Sequence, residues 1–143
     1  MATTSTATTG GARTPAQTFG LIFGAVYVLV GILGFFVADS FTGGQAADKL
    51  ILFPVNHMHN IVHLLIGAAL LFGSTRADLA KTINLVVGVA YALVAVLGFM
   101  GVVTPELIND RGVADDFLHL ATAILAIYFG TAGASAPTPA TTA

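Results

Sequence analysis

His59 and His63 stand one helical turn apart, and Asp115 and His119 have the same spacing. Side chains placed like this share a helix face. Imidazole and carboxylate are ligands of Zn, Cu and Fe, and imidazole also changes charge near neutral pH. Tyr27, Tyr91 and Asn60 supply phenol and amide groups that could support such a centre. The spacing puts the fourth histidine, His57, off the face that carries His59 and His63.

Three chemistries fit this set. The first is a transition-metal or haem centre: imidazole suits Zn and Cu, His59, His63, Asp115 and His119 could complete a tetrahedral Zn site, and His63 and His119 alone could ligate one haem b from its two faces. The second is interhelical glue, with His, Tyr, Asn60 and Asp satisfying one another at about 0.5–2 kcal/mol per hydrogen bond. The third is a proton relay toward an acidic loop. A metalloprotease has little support, because no Glu follows His59. There is no cysteine, hence no disulfide, thiolate ligand or cysteine nucleophile. The chain has no glycine-rich dinucleotide or phosphate loop and no Gly-x-Ser-x-Gly elbow. The default function is therefore a non-enzymatic membrane component.

The elements that must hold these groups come in two copies. Gly20, Gly24, Tyr27, Gly31 and Gly34 match Asn84, Gly88, Tyr91, Ala95 and Gly98 at a constant offset of about 64 residues. The alternating four- and three-residue spacing keeps each set on one face. Small residues let membrane helices approach closely, so this stripe is expected to face the bundle interior. A loop follows each copy, and then a helix carrying its histidine: His63 in one repeat and His119 in the other. Each repeat holds two spans, so the copies are expected to be related by a pseudo-two-fold axis along the membrane normal. That places His63 and His119 at similar depth around a shared centre, with Tyr27 and Tyr91 paired likewise. At ~1.5 Å per residue, Tyr27 and His63 fall at roughly 12 and 15 Å from the same end of their helices, close enough to meet.

Composition sets the environment. The chain of 143 residues is 56% hydrophobic and 8% charged, with mean hydropathy +0.90. Soluble domains carry about 25% charged residues, and 8% cannot solvate a surface of this size. A net charge of −2 gives no reason to expect nucleic acid as a partner. Apolar segments at roughly 19–37, 58–73, 82–103 and 116–132 are read as four spans, since a span needs about 20 residues, range roughly 17–25. The fold expected is an all-α integral membrane four-helix bundle of two repeated hairpins over 18–132, between disordered tails at 1–17 and 133–143. The tight 74–81 connection makes spans two and three antiparallel neighbours. Leu50 to Phe53, ahead of Pro54, reads as a short interfacial helix. Arg13, Arg76 and Lys81 against Lys49 and Arg111 place both termini on the cytoplasmic side. With so little interior and so much apolar surface, the partners expected are the bilayer and a homo-oligomer or larger membrane complex.

The run from Asn56 to Gly67, with Asn56, His59, Asn60, His63 and Leu64 in register, resembles a signature of a bacterial family of small four-helix membrane proteins, domain of unknown function 4383. Its members carry Asn-x-x-His-Asn-x-x-His-Leu entering the second span and a further histidine entering the fourth, matched here by His119. The resemblance covers roughly 17–132, and members are common in actinobacteria. His57 departs from the commoner apolar or Pro residue, which argues against a role for it. The resemblance implies the four-span fold and a bacterial inner-membrane location, and brings no activity with it.

Overall fold

The computed structural model describes residues 12–42, 49–102 and 113–131. Most of them lie in four helices: α1 (Pro15–Gly34), α2 (His57–Gly73), α3 (Ala77–Phe99) and α4 (Val113–Thr131). α1, α3 and α4 are long and apolar enough to cross a bilayer, and α2 is shorter, at 17 residues. The bundle is all-α, as its composition required.

Local chemistry sets the helix ends. Thr14 Oγ1 accepts from Gln17 N at 3.2 Å, Gln17 Oε1 accepts from Thr14 N at 3.0 Å, and Pro15 opens the first turn. α1 thus begins four residues before the apolar run at 19, because its first turn is polar. Asn56 caps α2 by accepting from His59 N at 2.7 Å. α3 stops at a Schellman turn: Gly101 takes φ 66°, its N–H donates to Gly98 O at 2.8 Å, and Val102 N donates to Leu97 O at 3.0 Å. Tail residues 1–11 and 132–143 lie outside the described residues.

The stretch expected as an interfacial helix is instead a small antiparallel hairpin. β1 (Lys49–Leu50) pairs with β2 (Phe53–Pro54), with Ile51 at φ 64° in the turn. Pro54 fixes its own φ and disfavours helix at Phe53, so too few residues remain to nucleate a turn.

Packing is densest within each repeat. α1 lies along α2 and α3 along α4, while contacts between the two hairpins are thinner. The sequential neighbours α2 and α3 do touch, with Gly73 against Ile83. The glycine stripes explain the close pairs. A Cβ on Gly24 would sit 2.9 Å from Gly67 O and Leu71 N, and one on Gly88 would sit 3.1 Å from Ala123 O and 2.9 Å from Ile127 N. Gly67 and Leu71 occupy in α2 the places that Ala123 and Ile127 occupy in α4, so the two hairpins repeat in packing as well as in sequence. Tyr27, Leu70, Val87, Tyr91 and Ala123 form the core where they meet. Leu29, Leu65, Val86 and Ile124, on all four helices, point outward and are more than half exposed. That is the surface expected of a bundle solvated by lipid.

Candidate functional site

The polar groups gather where the two hairpins face each other. His63 meets Tyr27 edge-on, with ring centroids 5.0 Å apart, and His119 lies against Tyr91 at 4.9 Å. Each hairpin thus makes the same Tyr–His pair, and the pairs join through Tyr27 and Tyr91 at 5.7 Å. His59 closes the circuit. Its Nε2 is 3.2 Å from His63 Nε2, and its ring lies 6.5 Å from that of His119. Asp115 stands behind His119, Oδ2 to Nδ1 at 3.7 Å, too long for a hydrogen bond. The result is a ring of five aromatic side chains with one carboxylate attached.

Helix geometry brings this about. His59 and Asp115 lie in the first turns of α2 and α4, and His63 and His119 lie one turn further in. Both pairs face the same way for that reason, and close packing of each hairpin through glycine sets the tyrosines beside them. His57 stays apart, its Nε2 2.9 Å from Ala38 O and its ring tilted over Phe35. Asn60 is fully buried but turns toward α1, where its amide lies against Gly34. In the other hairpin the Asp116 carboxylate lies against Gly98 in the same way. Thr122, within reach of the Tyr27 hydroxyl, belongs to the cluster although nothing singled it out beforehand. Its one clue was a position three residues after His119, on the same face.

Within the ring the two phenols hydrogen-bond each other, Tyr27 also meets Thr122, and the imidazoles are the groups left short of partners. An N–H···N bond between His59 and His63 needs one of the two Nε2 atoms to keep its lone pair, so at least one ring is neutral. Tyr27 and His63 touch without a hydrogen bond. The Nδ1 atoms of His59, His63 and His119 are all buried without a hydrogen-bond partner in the protein. A buried polar atom left unpaired costs about 1–3 kcal/mol.

The expected cofactor geometries meet obstacles. Among the described residues no three His, Asp or Glu side chains come together closely enough to hold a metal ion, so His59, His63, Asp115 and His119 do not form a cage. His63 and His119 each pack against a tyrosine ring, Tyr27 and Tyr91 respectively, and these two tyrosines contact each other, so neither imidazole stands free of an aromatic neighbour as an axial haem ligand would. A relay would need polar groups through the full depth. Beyond Thr122 the interior is Leu70, Val87 and Ala123, backed by Phe23, Ile66 and Ile83. The next buried polar contacts are at the opposite end, where Asn84 Nδ2 donates to Ala16 O and Gln17 Nε2 to Ser74 O, both at 3.0 Å.

The ring is reached from the side. A cleft of about 300 Å³ opens along the seam of α2 and α3. His59, His63, Tyr91 and His119 line its inner end.

Among known proteins, the family model described as Domain of unknown function (DUF4383) matches residues 17–132. No curated protein and no solved structure matches the chain.

Proposed function

The chain belongs to the family Domain of unknown function (DUF4383), and on that footing we propose that it is a non-enzymatic membrane protein that binds a small membrane-soluble molecule at the His59, His63, Asp115 and His119 cluster. Tyr91 lines the site with Tyr27 packed against it, and Asn60 braces α2 against α1. Both termini lie on the cytoplasmic side, and the cluster occupies the outer half of the bundle.

One observation carries this reading: three imidazoles in one cluster each leave a buried Nδ1 without a hydrogen bond in the protein, that of His119 meeting only the Asp115 carboxylate at 3.7 Å. Glue works by mutual satisfaction, and while the two phenols satisfy each other, the imidazoles of this cluster do not. Close packing of the hairpins holds the rings where they are at a cost in stability, as binding sites characteristically do. A ring with one free nitrogen turns about a broad torsion to take a new partner. The lateral cleft supplies the route, and the apolar layer beneath argues against a conducted proton.

Stability measurements separate binding from glue. In His59→Leu/His63→Leu both partners of the shared hydrogen bond go together, and two orphaned atoms go with them. The expected change in unfolding free energy in mild detergent lies within about 1 kcal/mol of zero, in either direction. A loss of more than ~3 kcal/mol would return the cluster to a structural role. A Soret band or one equivalent of metal in the purified protein would overturn the reading in favour of haem or a metal ion.

A further inference from the structure

The cleft has a composition that selects its ligand. Its side walls are apolar: Met58, Val62 and Ile66 from α2, with Ala90 and Val94 from α3. Its inner end is imidazole and phenol, from His59, His63, Tyr91 and His119. No lysine or arginine is among the described residues that line it. A carboxylate or phosphate headgroup therefore finds no cation there, and burying either charge unpaired is costly. The imidazoles that are present donate N–H to neutral acceptors, while the Tyr91 hydroxyl is already hydrogen-bonded to Tyr27. Imidazole and phenol rings also offer faces on which a flat ring packs. The cleft lies at the low end of the range for small-molecule sites, about 300–1,000 Å³, so it takes a headgroup and not a whole lipid. It opens between two helices whose outward side chains Leu65 and Val86 are exposed, which leaves an apolar tail in the bilayer.

Resting on the binding reading above, we infer that the ligand is a lipid-soluble quinone: a flat, neutral ring held through its carbonyl oxygens by the His63 and His119 side, with its tail passing out between α2 and α3. The site binds the quinone, and no electron transfer is assigned to it.

The test uses the full chain in detergent micelles with ¹⁵N-labelled histidine, titrated separately with menadione, laurate and Zn²⁺. Ala90→Phe is the control. Ala90 lines the cleft from the exposed side, so a phenyl ring there fills it without entering the core. Saturable shifts of the His63 and His119 ring signals with menadione, no response to laurate, and at least a tenfold weaker response in Ala90→Phe support the assignment. Equal shifts in wild type and Ala90→Phe show partitioning into the micelle and overturn it. Shifts with laurate or Zn²⁺ alone overturn the quinone class and keep a binding site. Silence toward all three overturns the binding reading as well.

Discussion

Gly34 and Gly98 each leave room for a polar side chain from the following helix, the Asn60 amide in one hairpin and the Asp116 carboxylate in the other. A methyl at Gly34 would collide with the Asn60 side chain, which has no space to withdraw because it is fully buried. Gly34→Ala is therefore expected to lower unfolding stability by about 1–3 kcal/mol. Asn60→Ala removes the obstacle together with two unpartnered polar atoms. Adding it to Gly34→Ala should recover most of the loss, which a double-mutant cycle in detergent would read as coupling. Additive losses would mean that the two side chains do not meet. At this scale His59, His63, Asp115 and His119 were legible because one-turn spacing fixes a shared face whatever the partner. The partners of Asn60 and Thr122 were not. They depend on how each helix is rotated about its axis, and a spacing along one helix does not report that.

The helices pair through backbone contact at their small residues, and the contact recurs in both hairpins. Gly24→Val and Gly88→Val each drive a branched side chain into the backbone of the facing helix. Each is expected to cost at least ~2 kcal/mol, and the two costs should be similar. Leu29→Ala, on the exposed face of α1, should stay within about 0.5 kcal/mol of wild type. Unfolding titrations of the three variants in one detergent check this, and a tolerated Gly24→Val would mean that the α1–α2 pair is looser than described. The stripe could be read from sequence because it is duplicated, and a duplicated pattern of small residues has little other use in an apolar helix. The helix ends were harder to read. α1 and α3 begin in polar turns, where hydropathy falls although capping and backbone bonding continue, as at Thr14 and Gln17. The Leu50 to Phe53 stretch was misread because a four-residue apolar run carries no periodicity, and the constraint that decides it is Pro54.

As a whole, the molecule is two copies of one hairpin meeting at a Tyr–His centre, with apolar side chains outward on every helix. The thinner seam between the hairpins is where the cleft opens. Duplication thus accounts for both the bundle and the site, since joining two hairpins produces a symmetric centre and a lateral way into it. The most direct measurement is magic-angle-spinning NMR of the chain in liposomes, labelled at histidine and tyrosine. With four histidines and three tyrosines, single substitutions assign every ring. The expected spectrum has Tyr27–His63 and Tyr91–His119 cross-peaks of similar strength and a Tyr27–Tyr91 cross-peak joining them. Histidine rings that correlate with acyl chains and with neither tyrosine would contradict the shared centre.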